Sequence, residues 1–293
     1  MRRLALRTWT AFAWGTGLLP LGLVAVILGF LAGRGAGTLG PSLLFGGADP
    51  WRAILGREPV FEGLWPAVVG TLLLVLGSSA LAIPVGIASG IHLAELATPR
   101  WRRLFGLGVD LLAGVPSILM GLFGFLVILS LRRTLLPRAT TGLLLAAVTL
   151  ALLVLPYLVR TTETALLALP PQVRLAGPSL GLTRGQTIRH VLLPAASRGI
   201  LSGVVLAVGR AAEDTAVILL TGVVANAGLP RSPGDAFEAL PFTIYVVAAE
   251  YRTPADLDRA FGAALVLLLL TATLFLVAVG LQRGFARRWE TRP

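Results

Sequence analysis

At 293 residues the chain is 56% hydrophobic and only 13% charged, with a mean hydropathy of +0.84, too apolar and too poor in polar surface for a water-soluble globule. Its formal charge of +11 rests on 25 basic residues that are all Arg, so a phosphate-gripping P-loop, which needs Lys, cannot exist here. There is no Cys and there are only two His, which excludes disulfides, thiol nucleophiles and thiolate metal sites and makes a metalloenzyme a poor reading.

Six apolar runs are long enough to cross a hydrocarbon core and are predicted as membrane spans at 10–32, 64–90, 104–131, 141–159, 199–222 and 260–282. The expectation is an all-α membrane protein with six transmembrane helices. The charges fall in the gaps between these runs rather than on one basic face, so the high pI does not imply a nucleic-acid partner. The first run follows Arg2, Arg3 and Arg7 and extends from Trp9 to Ala32, too long for the apolar region of a signal peptide. It is expected to stay as an uncleaved helix, with 1–62 forming an N-terminal unit and 34–63 a flexible spacer rich in Gly.

The second and third runs carry helix breakers and small residues: Pro84 with Gly86 and Gly90, then Gly114-Val115-Pro116-Ser117 followed by Gly121 and Gly124. Such residues either let helices approach closely or kink helices that line a cavity, in which case Ser117 faces it. Asp110 lies one or two turns inside the third run, after Arg100, Arg102 and Arg103; snorkelling towards that end is the plain outcome. Beyond the same run, Arg132, Arg133 and Arg138 form a cluster for which lipid-phosphate contact is the available explanation.

Between the fourth and fifth runs lies a polar segment, 160–198, studded with Arg. Its apolar residues Leu175, Leu180, Leu182, Ile188, Val191 and Leu192 give it something to pack, which favours a docking element over disorder. The fifth run contains Arg210, Glu213 and Asp214. A charge at mid-membrane costs roughly 2.5–3.5 kcal/mol on insertion scales, so each should face protein or water and have a partner. At i+3 and i+4, both acids share a helical face with Arg210. The cluster is either an internal ion-pair set or part of a polar path. One Arg and two carboxylates sum to −1, which permits only weak, transient contact between an oxyanion and the planar Arg fork. The stretch 240–249 is apolar but too short to span, and reads as an interfacial or re-entrant helix. His92 and His190 fall at membrane boundaries and receive no role.

Counting Arg on each side places 15 with Glu95, Glu163 and Glu290 on the side of the termini, against 9 with eight carboxylates on the other. The positive-inside rule then puts both termini in the cytoplasm.

The segment 173–200 resembles the cytoplasmic coupling loop of ABC importer permeases, whose pattern is Glu-Ala-Ala, then Gly, then an apolar pair and Pro. Here Ala176, Gly177 and Gly181 are followed by Leu192-Leu193-Pro194, with Leu175 in place of Glu and Gly177 in place of Ala. DLLAGVPSILMGLFGF from Asp110, and GRAAEDTAVILLTG from Gly209, resemble stretches of phosphate permeases of the PstA type. In the second, Arg210 and Thr215 match, Asp214 replaces Glu, Glu213 replaces Gly and Val217 replaces Pro. The resemblance implies a type I ABC importer permease (MetI-like) core at 63–283, with a cytoplasmic tail at 284–293, in a bacterial inner membrane.

It also implies partners: a homologous PstC-like second permease, two ATP-binding subunits that hydrolyse the ATP, and an extracytoplasmic phosphate-binding protein. No cofactor is implied for this chain. Arg210, Glu213, Asp214, Thr215, Asp110 and Ser117 are the implied substrate pathway. Ala176, Gly177, Gly181, Thr183, Arg184, Leu193 and Pro194 are the implied ATPase-coupling residues. Alternatives are a permease for molybdate, tungstate or sulfate, and an ATPase-independent channel or ion-coupled carrier.

Overall fold

The computed structural model describes residues 2–135, 137 and 140–290. Among the described residues the fold is helical throughout, with one isolated bridge, Val223 to Phe237. Six helices are long and apolar enough to cross a membrane, at Phe12–Thr38, Trp65–Leu96, Ser117–Thr134, Leu143–Leu167, Arg184–Glu213 and Pro254–Gly280. The number of spans is as expected; several of their limits are not.

Helix α1 (Arg2–Gly35) exposes large apolar side chains all round between Phe12 and Phe30. It joins the rest at its end, where Arg34 pairs with Asp258 at 2.7 Å and Phe30 meets Phe261 edge-on. The expected spacer is instead folded into two short helices, α2 (Pro41–Phe45) and α3 (Pro50–Ile54). Pro at the first position pre-sets the helical φ of each, and Asp49 caps α3 by accepting from the Arg52 amide. Leu43 then joins Leu64, Ala67, Leu240 and Ala263 in a buried cluster.

α4 (Trp65–Ile91) and α7 (Leu143–Leu167) form the centre of the bundle around Leu74, Leu150, Leu158 and Val154. Gly86 and Gly90 are there for close approach: a Cβ would come within 2.5 Å of Leu158 Cβ and Thr162 Cβ, respectively. α4 ends in a π-helical turn, His92–Leu96.

The expected third span, 104–131, is not one helix. α5 (Pro99–Ala113) stops, Gly114–Pro116 leaves helical geometry, and α6 (Ser117–Thr134) begins. Pro116 pushes the residue before it out of the α region and lacks an N–H to continue the ladder. Asp110 therefore lies on the separate helix α5 rather than inside a span. Arg132 and Arg133 occupy the last turn of α6, where cations meet the negative end of the helix dipole. Arg138 lies outside the described residues.

α7 runs past the expected limit of 159 and carries Arg160 and Glu163 within it. α8 (Pro171–Ser179) and α9 (Arg184–Thr187) make a hairpin, followed by a π-helical turn at Ile188–Leu192 and α10 (Leu193–Glu213). α11 (Thr215–Thr221), α12 (Leu240–Glu250) and α13 (Pro254–Glu290) complete the chain. α13 takes in residues 284–290 of the expected tail; the last three residues lie outside the described ones. α12 is the short apolar helix anticipated from the sequence. Its buried start is fixed where the Leu240 amide donates to Thr71 Oγ1 at 2.9 Å, and it ends exposed at Glu250.

The loop leading to α12 holds a buried carboxylate, Glu238, whose Oε1 accepts the Gly228 amide at 2.9 Å. Burial pushes its pKa above the usual carboxylate range, against the pull of the Gly228 and Ala227 amides. A raised folded-state value means that folding favours the protonated form. Its stabilisation is complete below the unfolded carboxyl pKa and is lost as pH rises through the folded one. Glu238→Gln keeps the acceptor and removes the titration. It should raise the melting temperature in detergent at pH 7–8 and flatten its dependence on pH between 4 and 8.

Candidate functional site

α10 ends at Glu213, the last residue of the fifth span, and the helix breaks at Asp214. Asp214 has extended backbone (φ −78°, ψ 107°), and its Oδ1 accepts the Val217 amide at 3.0 Å, capping α11. The other carboxylate oxygen lies 3.4 Å from Arg210 Nη2. The acid is buried and the Arg side chain is 44% exposed. The expected Arg210–Asp214 pair at i, i+4 is present, but Asp214 makes it from extended backbone rather than from a continuing helix. The break rotates Asp214 into a capping role, because a buried helix start with unpaired N–H groups would cost more than the lost turn.

Glu213 turns another way. It lines an apolar groove of about 360 Å³ with Leu31, Ala264, Leu267, Thr271 and Phe275, on the side of α1 and α13. The charge sum of −1 therefore does not describe what surrounds Arg210. One carboxylate faces elsewhere and the other is half committed to backbone, so the guanidinium keeps most of its donors among the described residues.

α6 packs along α11 through its glycines: a Cβ on Gly121 would lie 3.0 Å from the Ala216 and Val217 carbonyl oxygens, and one on Gly124 would meet Thr149 and Thr221. This parallel register sets the two breaks, before Ser117 and at Asp214, at about the same level. Both breaks thus adjoin the ends of spans, one just before Ser117–Thr134 and one just after Arg184–Glu213, and irregular backbone there survives where protein or a water-filled cavity covers it. Ser117 and Thr215 each open the helix that follows a break, both half-buried.

Asp110 belongs to a different constellation. Arg160 donates from Nε and Nη2 to Asp110 at 2.8 and 2.6 Å, from Nη2 to the Gly106 carbonyl at 2.7 Å, and from Nη1 to Glu163 at 2.6 Å. This fork ties α5 to α7. Arg160 and Glu163 were missed because hydropathy falls where they start; an Arg and a Glu at i, i+3 beside an apolar run were the available signal. Arg160→Leu strands Glu163, whose side chain is 7% exposed. It should cost about 3 kcal/mol of stability, seen as a lower melting temperature in detergent, whereas Asp110→Asn should cost clearly less.

The second site is the α8–α9 hairpin, on the side of the membrane where α1 starts. Thr183 caps α9 in a reciprocal box with Gln186: its Oγ1 accepts the Gln186 amide at 3.4 Å, and Gln186 Oε1 accepts the Thr183 amide at 2.8 Å. Gly181 adopts φ +75° in the turn, and its amide donates to the Pro178 carbonyl. Gly177 is buried against Thr187, with no room for a Cβ. Leu175 and Leu180 are 64% and 79% exposed, beside exposed Ala176 and Arg184. Leu193 and Pro194, both half-buried, open α10 behind the hairpin. The structure thus brings all seven predicted hairpin residues into one unit that presents two bare leucines. Of the apolar residues expected to give the segment something to pack, Ile188 and Leu192 are buried in a core, with Val191 packed against it.

The chain is similar to known proteins in sequence and in fold. Residues 82–291 match the family model described as binding-protein-dependent transport system inner membrane component. "Phosphate transport system permease protein PstA 1" of Mycobacterium tuberculosis (strain CDC 1551 / Oshkosh) is 34% identical over 238 residues, covering 79% of this chain and 74% of that one. "Phosphate transport system permease protein PstC" of Mesorhizobium japonicum is 28% identical over 283 residues, covering 89% and 84%. Among solved structures, a chain of the MetNI methionine ABC transporter in inward-facing conformations is similar in fold (TM-score 0.60, 20% identity, 81% of this chain and 99% of that one).

Proposed function

The chain belongs to the binding-protein-dependent transport system inner membrane component family, and from that footing we propose that it is the PstA-type permease subunit of an ATP-driven importer of inorganic phosphate. The observation that carries this reading is Arg210, an exposed guanidinium within a span, one turn before a helix break that occupies its nearest acid with backbone capping. A planar fork in a poorly hydrated setting suits a tetrahedral oxyanion. The loose 3.4 Å contact to Asp214 suits transient holding, since a tight site would trap its cargo.

In this reading the hairpin side is cytoplasmic, as the Arg distribution predicts, and the membrane is the bacterial inner membrane. The chain pairs with a homologous second permease; two ATP-binding subunits seat on the hairpins, with Leu175 and Leu180 entering the first of them. An extracytoplasmic binding protein delivers phosphate to the opposite face. Closure of the ATPase pair pushes the hairpin and rocks the helices, so that Arg210 meets each side in turn. Hydrolysis belongs to the partner subunits. The first test is purification from native membranes through a tag on this chain. An ATP-binding subunit and a second permease should accompany it in stoichiometric amounts, and isolation of the chain alone in active form would count against the reading.

A further inference from the structure

The hairpin holds the rest of the molecule at few points. Of the residues of α8, Gly177 is buried, against Thr187, and Val173 is the helix's partly buried contribution to the cluster of Ala94, Leu166, Ile188, Leu192, Ala196 and Ile200. Apolar contact of this kind is non-directional and lets a pushed helix slide. A directional link is present beside it. Arg174 Nη1 donates to Glu95 Oε1 at 2.7 Å, and Nη2 donates to the Leu166 carbonyl at 2.5 Å. The Arg side chain is 29% exposed and that of Glu95 12%. One guanidinium therefore joins α8, the last turn of α7 and the π-helical turn that ends α4.

That π-helical turn is itself pinned from another side. Arg102 of α5 donates from Nε to the Leu93 carbonyl and from Nη2 to the Ala94 carbonyl, both at 2.6 Å. Glu95 thus sits on backbone that cannot shift independently of α4 and α5, and α4 packs along α7 through the bundle centre.

We propose that the Arg174–Glu95 pair is the strut that passes displacement of the docking hairpin to α4 and α7, which makes both of them positioning residues for transport. This rests on the permease reading. A charge-assisted fork resists both stretching and rotation, so α8 cannot tilt without drawing on the ends of the two central helices. The bare leucines of the hairpin then supply grip on the partner, and Arg174 supplies direction.

The test uses the whole complex in lipid nanodiscs. ATP hydrolysis is measured with and without the cognate extracytoplasmic binding protein loaded with inorganic phosphate, for the natural sequence, Arg174→Gln, Glu95→Gln and the exchange Arg174→Glu with Glu95→Arg. Each single variant should retain its ATPase subunits but lose roughly tenfold in the ratio of stimulated to basal hydrolysis, in the range of ordinary coupling energies. The exchange should recover a substantial part of that ratio, which a merely structural defect would not. Should a Gln variant fail to assemble, Arg174→Lys, which keeps the charge without the second hydrogen bond, takes its place and should give an intermediate ratio. Unchanged ratios in the single variants, or an exchange as low as they are, would overturn the strut. A natural complex that does not respond to the loaded binding protein would overturn the permease reading instead.

Discussion

Replacing Arg210 by Gln should abolish phosphate uptake while leaving the protein inserted and assembled. The guanidinium is 44% exposed and its one described contact is the 3.4 Å approach to Asp214, so its removal unpairs little: Asp214 retains the Val217 amide. What disappears is a cation with two parallel donors in the last turn of the fifth span. Hydrogen bonds to charged groups are worth about 1.5–3 kcal/mol each, so losing the fork should lower uptake about a hundredfold or more at 1.4 kcal/mol per factor of ten. Arg210→Lys keeps the charge and forfeits the bidentate geometry, and should fall between the two. Initial rates of labelled phosphate entry into vesicles, normalised to complex content, give the measurement. Uptake within threefold of the natural rate in Arg210→Gln would place the substrate contact elsewhere.

The second large effect lies in the hairpin. Gly181→Pro should eliminate transport without affecting membrane insertion, because the substitution violates two local requirements at once. The native φ of +75° is unavailable to Pro, which is fixed near −65°, and the amide that donates to the Pro178 carbonyl is lost. Gly177→Val acts on the same unit by another route: its side chain overlaps Thr187 and forces α8 off α9. Both variants should lose bound ATPase subunit by at least about tenfold, the scale of a single interface anchor. The readout is the ratio of ATPase to permease after purification. Retention of the ATPase together with normal uptake in Gly181→Pro would show that the hairpin is not the docking element.

Much of this architecture was legible in the sequence, for a physical reason. In hydrocarbon every backbone polar group must be satisfied within its own segment, so long apolar runs translate almost directly into helices. The hairpin was legible too, since a Gly at a turn and Thr183 three residues before Gln186 are local devices. The breaks were harder to see. Hydropathy averages over Gly114–Pro116 and over Asp214 because apolar residues continue on both sides. Asp214 became readable only as an N-cap, a role that a span seemed to forbid. The partners of Asp110 were hidden for a related reason. A span was expected to stop where charge begins, whereas Arg160 and Glu163 neutralise one another and let α7 continue to Leu167. The folded stretch between α1 and α4 was masked by Gly-rich composition, although Pro41 and Pro50 at helix starts were visible.

The turning of Glu213 away from Arg210 bears most on substrate. From composition alone, the additional acid argued against a phosphate site; in three dimensions it lies in the α1–α13 groove and leaves Arg210 with a single, partly engaged neighbour. The oxyanion that the complex carries is therefore the central point to test. The complex purified through this chain, reconstituted with ATP inside the assay and its own extracytoplasmic binding protein, would be offered phosphate, sulfate and molybdate in parallel. Hydrolysis stimulated by phosphate alone, and lost in Arg210→Gln, is the predicted result; stimulation by sulfate or molybdate with none by phosphate would contradict it.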